Sequence, residues 1–321
     1  MSKILLVDIR QLTGAQRAAI EAEARARGFS AVFPEDAAQA ASAAAEAEII
    51  FGPDAELLKH SPKLKWLCVP SAGADNYLKP ALEERDGVML SNSSGAYGVT
   101  IAEHIVMVTL MLMRREMEYV EVVRNRGWQR NLRIRSIRAS RVTLLGTGDI
   151  GREAALRLRG FAPRSIVGVN RSGAARGDVF DEVAPIGALD ALLPNTDLLV
   201  MSLPDTPETR RIMDARRLGL LPEDAFIVNV GRGSAIDQAA LADQLRAGRF
   251  AGVALDVFER EPLPADDPLY DCPRLLITPH VAGNMTLDYT LERIVALFLE
   301  DFGNYCDGLP LKRRVERGKG Y

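Results

Sequence analysis

The chain has 321 residues, 47% of them hydrophobic, and a formal net charge of -3 at neutral pH. Such a length predicts a globular protein with a substantial core and about two domains. The small acidic charge excludes a global attraction to nucleic acid or to an anionic membrane. Three widely separated cysteines exclude a disulfide framework and lack metal-ligand spacing, so we predict a cytoplasmic protein without a metal site.

The N-terminal part predicts one compact α/β unit. Short apolar runs alternate with helical stretches such as 13–27, the pattern of a parallel sheet covered on both faces. The alanine-rich segment 37–48 predicts a plain surface helix, because alanine is the best helix former. The predicted strands are 3–7, 47–51, 64–69 and 88–90.

A second unit is predicted to begin at a long helix over 100–123. Its apolar part, 105–113, is much shorter than the roughly 20 residues that span a bilayer, so no membrane segment is expected. A last helix over 286–302 carries one broad apolar face and is expected to pack back on the first unit. Between these helices we predict six strands, as in a dinucleotide-binding sheet: 142–145, 166–170, 198–202, 226–230, 252–256 and 275–278.

A glycine-rich turn follows the first strand of the second unit. Gly146 permits a sharp turn, Gly148 removes a side chain where backbone meets pyrophosphate, and Gly151 lets the next helix approach the sheet. The start of that helix, with Asp149 and Ile150, supplies N–H donors and a positive dipole. These five residues form the predicted pyrophosphate site, although a tight turn without a ligand has the same pattern.

The end of the next strand predicts which nicotinamide cofactor is used. An enzyme that binds NAD places a carboxylate there, about 20 residues beyond the glycines, to accept hydrogen bonds from the ribose. Here the strand ends in Asn170, Arg171 and Ser172. An arginine beside a hydroxyl can hold a 2′-phosphate through charge-assisted hydrogen bonds. We predict that NADP(H) is preferred and that NAD(H) is possible; a solvated arginine in a turn is the alternative.

Further motifs occur in a fixed order along the chain. They are Ser71–Asp75, Asn92–Gly95, Ala102–His104, the glycine turn, Leu203–Thr209, Asn229–Gly233, Leu255–Leu263 and Thr278–Gly283. Together they make the chain resemble the D-isomer-specific 2-hydroxyacid dehydrogenase family over nearly its full length. The combination is much more specific than any single motif.

The resemblance implies an α/β fold of two doubly wound parallel-sheet domains. A Rossmann dinucleotide-binding domain is expected over 99–284. A flavodoxin-like substrate domain is expected over 1–98 plus 285–321, and the apolar crossing helix suggests a homodimer.

The resemblance also implies a catalytic set of Arg232, Glu261 and His280. Reduction of a 2-keto acid develops negative charge on the carbonyl oxygen, so a cation and a proton donor must both face that oxygen. Arginine grips an α-keto carboxylate without titrating, and a carboxylate beside a histidine stabilises the protonated imidazole. A buried Glu261 is expected to act on His280 in this way.

Other site residues are carried over on the resemblance alone. Arg232 and His280 are expected to bind substrate, together with the loop of Ala72 and Gly73, whose N–H groups face the substrate carboxylate. The remaining predicted cofactor contacts are Pro204, Thr209, Val230 and Asp256, the last beside the nicotinamide carboxamide. Asp205 departs from the apolar or amide residue of many relatives, which weakens the NADP prediction slightly.

The predicted function is NADPH-dependent reduction of small 2-keto acids, such as glyoxylate or hydroxypyruvate, to D-2-hydroxy acids. Two alternatives stay open: an NAD-linked D-2-hydroxyacid or phosphoglycerate dehydrogenase, and a nicotinamide-sensing corepressor that binds peptides. Clustered arginines before the first cofactor strand could attract nucleic acid, but they lack interleaved aromatics, so we favour subunit contact or solvated surface. They are Arg124, Arg126, Arg130, Arg133, Arg135, Arg138 and Arg141.

Overall fold

The computed structural model describes residues 2–74, 77, 85, 87–175 and 177–316. The chain divides into two compact units, Met1–Tyr97 with Asn284–Tyr321, and Gly98–Gly283. The predicted domain boundaries each fall one residue later. Asp75 of the family-like motifs and residues 317–321 of the predicted substrate domain lie outside the described residues. None of the helices in the described ranges is both long and apolar enough to cross a membrane.

The first unit is built on a parallel five-stranded sheet in the order β2-β1-β3-β4-β5. Its strands are β1 (Lys3–Val7), β2 (Phe29–Val32), β3 (Ala47–Phe51), β4 (Trp66–Cys68) and β5 (Met89–Ser91). Its helices within the described residues are α1 (Gly14–Ala26), α2 (Ala37–Ala44), a 3₁₀ helix (Ala55–His60) and a C-terminal helix, called α9 below (Asp288–Cys306).

Helix α9 packs on this first sheet as its apolar face predicts. Phe298 stacks on Phe51 with ring centroids 4.0 Å apart. Trp66 also stacks on Phe298, with ring centroids 5.6 Å apart. Such aromatic contacts add to the large apolar area that the rings bury. The predicted apolar positions are all buried: Leu291, Ile294, Val295, Leu297, Phe298 and Phe302.

The second unit is built on a parallel seven-stranded sheet in the order β12-β11-β10-β9-β6-β7-β8. The strands are β6 (Arg141–Leu145), β7 (Ser165–Asn170), β8 (Glu182–Pro185), β9 (Leu198–Met201), β10 (Phe226–Asn229), β11 (Gly252–Leu255) and β12 (Leu275–Ile277). The helices are α3 (Gly98–Arg114), α4 (Glu116–Arg124), α5 (Asp149–Arg159), α6 (Leu189–Leu192), α7 (Ala215–Leu220) and α8 (Gln238–Arg246). Short 3₁₀ helices lie at Ile186–Ala188, Leu193–Asn195, Gly233–Ala235 and Pro268–Asp271.

The element predictions were wrong in three places. The edge strands β2 and β8 were missed, because each has only four residues and few fully buried ones, so no apolar run marks them. The single helix predicted over 100–123 is two helices. Arg115 separates them with a left-handed φ of 60°, a conformation that cannot continue a right-handed helix.

Parallel pairing decides where the functional residues meet. All strands of the second sheet run the same way, so the segments that follow them emerge at one edge. In open α/β sheets, ligands bind at this carboxyl edge. The glycine turn follows β6, Asn170 ends β7, and the segments that carry Arg232, Glu261 and His280 follow the adjacent strands β10, β11 and β12.

Candidate active site

The glycine turn after β6 has the geometry that a dinucleotide pyrophosphate needs. Gly146 has φ of 107°, and a β-carbon on Gly151 would overlap the carbonyl oxygen of Gly146, so both positions require glycine. A β-carbon on Gly148 would meet no described atom within 4 Å. Helix α5 begins directly after Gly148 without a side-chain cap from the described residues, so its first N–H groups point toward this open side. The residues present therefore fit the phosphates of a dinucleotide.

The two other predicted residues of the turn lie at the start of α5. Ile150 is half-buried. Asp149 directs its carboxylate at the start of α3: a β-carbon on Gly98 would lie 2.5 Å from Oδ2 of Asp149. Negative charge is favourable at a helix N-terminus, so the acidic side chain stabilises the start of α3.

The turn after β7 is organised by the Asn170 side chain. Its Oδ1 accepts hydrogen bonds from the backbone N–H of Ser172 (3.1 Å) and Gly173 (2.7 Å). Its Nδ2 donates to Oγ1 of Thr147 in the glycine turn and to the carbonyl oxygen of Ala174, both at 2.9 Å. Arg171 and Ser172 are exposed on this turn, as a site for an added phosphate requires.

The loop after β9 carries Pro204 and Thr209, which the sequence assigns to the cofactor site. Oγ1 of Thr209 donates to the carbonyl oxygen of Pro204 (2.6 Å) and accepts from the N–H of Thr206 (2.9 Å). The Thr209 hydroxyl thus stabilises the loop that contains it by bonding two of its backbone groups. Contact of this loop with a cofactor stays a prediction.

Asp205 in the same loop is neutralised by neighbouring groups. Its carboxylate pairs with Arg210 at 2.9 Å and accepts a hydrogen bond from the Ser234 hydroxyl at 2.9 Å. The hydrogen bond from Arg210 is the main cause that holds the pKa of Asp205 below its ordinary value. The paired charge removes much of the repulsion that we expected between Asp205 and a phosphate.

Arg232 lies on a tight turn after β10 that only glycines allow. A β-carbon on Gly231 would lie 2.6 Å from the backbone nitrogen of Leu203, and one on Gly233 would overlap the backbone of Phe258. Asn229, buried at the strand end, holds the turn by accepting from the N–H of Gly231 (3.1 Å) and donating to the carbonyl oxygen of Arg232 (2.9 Å).

The turn also sets how far the side chains of Arg232 and Val230 are exposed. The Arg232 guanidinium is half-buried and donates to the Gly231 carbonyl oxygen at 2.8 Å. Val230 is only 6% exposed, so its side chain offers little surface to a ligand.

His280 and Glu261 form a hydrogen-bonded pair on the segments after β12 and β11. Nδ1 of His280 lies 2.6 Å from Oε2 of Glu261, and Oε1 of Glu261 accepts from the N–H of Phe258 at 2.9 Å. An ionised carboxylate only accepts hydrogen bonds, so Nδ1 is the donor and Nε2 is the nitrogen left to exchange a proton. Glu261 is 35% exposed, so the expectation of a buried carboxylate was wrong: the pair forms at the open edge of the sheet.

Asp256 supports the turn that carries His280. Its side chain is 2% exposed; Oδ1 accepts from the Thr278 hydroxyl (2.6 Å) and the Val281 N–H (2.9 Å), and Oδ2 accepts from the Ala282 N–H (2.9 Å). The N–H of His280 donates to the Asp256 carbonyl oxygen at 2.9 Å. These bonds hold His280 at a φ of 53°, which is unfavourable for a residue other than glycine. Contact of Asp256 with the nicotinamide carboxamide stays a prediction.

His104 lies behind this turn on α3. Its Nε2 is 3.4 Å from the Thr278 hydroxyl, which in turn donates to Asp256. Burial lowers the pKa of His104, and the negative charge of Asp256 opposes that shift. We interpret His104 as a support of the Thr278–Asp256 contact.

The predicted substrate loop lies in the first unit. The Ala72 carbonyl oxygen accepts from Nδ2 of Asn92 (2.7 Å), and the Gly73 carbonyl oxygen accepts from the Ser71 hydroxyl (2.6 Å). Side chains at the loop base therefore fix its backbone. Binding of substrate by Ala72 and Gly73 stays a prediction.

Sequence reasoning missed the residues that hold the site in place. Asn170 was assigned only to cofactor contact, and Asn229 and Thr278 were not singled out. A usable signal existed for Asn229, because an asparagine at a strand end two residues before a glycine often bonds its own turn. No local signal marks Thr278, because its partner Asp256 follows a different strand, β11. Within the described ranges, His, Cys, Asp and Glu side chains form no cluster of three or more that could hold a metal ion.

Comparisons with known proteins place the chain in a family. The family model described as "D-isomer specific 2-hydroxyacid dehydrogenase, NAD binding domain" matches residues 106–282. Glyoxylate/hydroxypyruvate reductase B of Pectobacterium carotovorum is 32% identical over 235 residues, which are 72% of this chain and 72% of that protein.

Solved structures match almost the whole chain. A D-isomer specific 2-hydroxyacid dehydrogenase family protein from Aeromonas salmonicida is 31% identical with a TM-score of 0.87, over 99% of this chain and all of that one (100%). An NADPH-dependent glyoxylate/hydroxypyruvate reductase from Sinorhizobium meliloti, solved with NADP and sulfate, is 27% identical with a TM-score of 0.82 over 99% of this chain and 100% of that one. The likeness includes both units of the chain.

Proposed function

Because the chain belongs to the D-isomer specific 2-hydroxyacid dehydrogenase family, we propose that it uses NADPH to reduce small 2-keto acids to D-2-hydroxy acids. Family membership makes the chain a nicotinamide-dependent oxidoreductase. The observation that carries the finer proposal is the Glu261–His280 pair beside the Arg232 turn, on segments that follow three adjacent strands. Glyoxylate and hydroxypyruvate are the proposed substrates, in line with the names of the Pectobacterium and Sinorhizobium proteins.

Each residue of the proposed set has a distinct task. Arg232 binds the substrate carboxylate and stabilises the charge that develops on the carbonyl oxygen. His280 gives a proton from Nε2 to that oxygen, and Glu261 keeps the imidazole oriented through its hydrogen bond with Nδ1. When bound, the reduced nicotinamide would supply a hydride, a hydrogen with its electron pair, to the carbonyl carbon. With Gly148 open and α5 beginning beside it, the glycine turn would hold the pyrophosphate.

The proposed preference for NADPH rests on the turn after β7. Arg171 and Ser172 are exposed at the strand end, and Asn170 stands where a carboxylate would otherwise repel a 2′-phosphate. The structure of the Sinorhizobium protein was solved with NADP, and that protein is named as NADPH-dependent. These two observations support NADPH over NADH.

A substrate panel tests the proposal directly. Glyoxylate, hydroxypyruvate, pyruvate and 3-phosphohydroxypyruvate are each assayed with NADPH and with NADH, and the configuration of chiral products is determined. We expect the highest kcat/KM for glyoxylate or hydroxypyruvate with NADPH, and D-products. Equal turnover with NADH and tight binding of the phosphorylated substrate would instead favour an NAD-linked phosphoglycerate dehydrogenase. Negligible turnover on all four, with dinucleotide-gated peptide binding, would favour a corepressor.

We further propose that the protein acts as a homodimer in the cytoplasm. Residues 127–136 form an extended arm without regular secondary structure, and Trp128 on it is 87% exposed. Tryptophan is among the residues enriched at protein–protein interfaces. The free thiols of Cys68 and Cys272, both buried, suit a reducing compartment. Light scattering at several concentrations should give a dimer mass that Trp128→Ser lowers; a wild-type monomer would contradict the dimer.

A further inference from the structure

We propose that Asn170 is a positioning residue that ties the pyrophosphate turn to the 2′-phosphate turn, so that the preference for NADPH depends on its hydrogen bond with Thr147. This inference rests on the proposed use of NADPH. It assigns to the Asn170 amide a role distinct from direct contact with the cofactor. The role is to hold two anion-binding turns, one after β6 and one after β7, in a fixed relation.

The contacts of the Asn170 amide exhaust most of its hydrogen-bonding capacity within the protein. The oxygen accepts from two successive N–H groups, at Ser172 and Gly173, and the nitrogen donates to Ala174 and Thr147. An amide has two donor hydrogens, and both are used here. Asn170 is therefore built into the turn, and Arg171 and Ser172 are displayed on the outside of that turn.

The partner hydroxyl on Thr147 is itself held in place. A β-carbon on Gly168 of β7 would lie 2.7 Å from Cγ2 of Thr147, so the threonine methyl packs against the bare backbone of β7. Thr147 is only 9% exposed. Because the methyl occupies that side, the hydroxyl is directed to Asn170, where it accepts the hydrogen bond at 2.9 Å.

The far side of the turn is equally constrained. Gly173 has φ of 73°, and a β-carbon there would lie 2.9 Å from Cδ of Pro185 at the end of β8. The turn therefore packs against β8 on one side and is bonded to the glycine turn on the other. Of these two supports, only the Thr147 hydrogen bond connects it to the residues that would hold the pyrophosphate.

An amide suits this position better than a carboxylate. A carboxylate has no donor hydrogen, so it would lose the bond to the Ala174 carbonyl oxygen and would face that oxygen with negative charge, and toward the Thr147 hydroxyl it could only accept. It would also repel the 2′-phosphate. Asn170 thus favours NADPH in two ways: by its neutral charge and by fixing the turn.

Two matched substitutions at residue 147 test the connection. Thr147→Val keeps the packed methyl and removes the hydroxyl, whereas Thr147→Ser keeps the hydroxyl. Dissociation constants for NADPH and NADH are measured by titration calorimetry, without turnover. We expect Thr147→Val to raise the ratio of the NADPH constant to the NADH constant about 3- to 10-fold, the usual effect of one lost hydrogen bond. Thr147→Ser should leave that ratio within about 2-fold of the wild-type ratio.

A second variant guards against a folding defect. Asn170→Ser keeps a short acceptor for the N–H groups of its own turn but cannot reach Thr147. It should raise the same ratio, and adding Thr147→Val to it should raise the ratio no further, because the bond between residues 170 and 147 is already absent from Asn170→Ser. Unchanged melting temperatures check that each variant is folded.

Several outcomes overturn the inference. Equal weakening of NADPH and NADH by Thr147→Val would show a general effect on dinucleotide binding, and additive effects in the double variant would show that the two residues act separately. Arg171→Ala shows whether the inference about Asn170 has failed alone or whether the proposed use of NADPH has failed as well. If Arg171→Ala weakens NADPH selectively and Thr147→Val does not, only the inference is wrong. If Arg171→Ala weakens both cofactors equally, the NADPH proposal and the inference are both wrong.

Discussion

Two turns at the carboxyl edge of the seven-stranded sheet are each held by one side chain, a neutral amide in one turn and a carboxylate in the other. Asn170 at the end of β7 bonds the backbone N–H groups of its turn and reaches Thr147 on the neighbouring β6 turn. Asp256, directly after β11, bonds Thr278 and two N–H groups of the turn after the neighbouring strand β12. In both cases one side chain connects the ends of two adjacent strands.

The difference lies in the charge that each turn must accommodate. The β7 turn is proposed to receive a phosphate, and a neutral amide holds it without repelling that anion. The β12 turn presents His280, and the N–H groups that follow His280 donate to the two oxygens of the Asp256 carboxylate. We infer that a carboxylate suits a turn that offers it N–H and O–H donors, whereas a neutral amide suits a turn that is proposed to receive a phosphate.

The largest effect is expected from removing the group that the β12 turn presents. His280→Gln leaves no side chain able to transfer a proton, so kcat should fall about 100- to 10,000-fold. The dissociation constant for NADPH should stay within about 2-fold of wild type, since His280 is not assigned to cofactor binding. His60→Gln, at an exposed position of the first unit, is the matched control. Retained turnover in His280→Gln would remove His280 from the mechanism.

The next largest effect is expected from neutralising the support itself. Asp256→Asn replaces an acceptor with an NH₂ group that faces N–H donors, so the His280 turn should loosen. A hydrogen bond to a charged group contributes about 1.5–3 kcal/mol, which predicts a kcat about 10- to 100-fold lower. Steady-state kinetics on Asp256→Asn and on the exposed control Asp266→Asn measure this. A normal kcat in Asp256→Asn would show that the turn keeps His280 in place without the carboxylate.

A smaller and cofactor-selective effect is expected on the β7 turn. Arg171→Ala removes a charge-assisted contact to the proposed 2′-phosphate, so the dissociation constant for NADPH should rise about 10-fold or more. The constant for NADH should change by less than about 2-fold. Titration calorimetry with both cofactors checks this, and the exposed Arg164→Ala is the control. Equal effects on the two cofactors would contradict the NADPH assignment.

The smallest effect is expected in the pH dependence of stability behind the β12 turn. Burial lowers the pKa of His104 from its ordinary value of 6.5, so on acidification the unfolded chain takes up this proton first. More protons are then bound by the unfolded state, and stability falls as pH drops below about 6.5. Urea unfolding between about pH 7.5 and pH 5.5 should show a larger loss for wild type than for His104→Gln. Identical losses would exclude His104 as a source.

Much of the fold could be predicted from the sequence because it depends on local patterns. Apolar runs marked the central strands of both sheets, and the glycine turn marked the start of α5. The turn at Gly146 and Gly151 could be predicted because only glycine allows the close backbone approach found at these positions. The edge strands β2 and β8 were missed because they bury little, and Arg115 interrupts a helical pattern without a glycine or a proline to mark it.

The sequence by itself therefore determined the α/β class, the family, and the residue types proposed for the chemistry, including the pairing of Glu261 with His280. Only the tertiary structure decided what holds the turns that carry them: the bonds from Asn170 to Thr147 and from Asp256 to the His280 turn. Partners such as Asp256 and Val281 are 25 residues apart and meet because neighbouring parallel strands end at the same edge. Hydrogen bonds depend on distance and direction in space, and residues distant in sequence satisfy both only after the strands have paired.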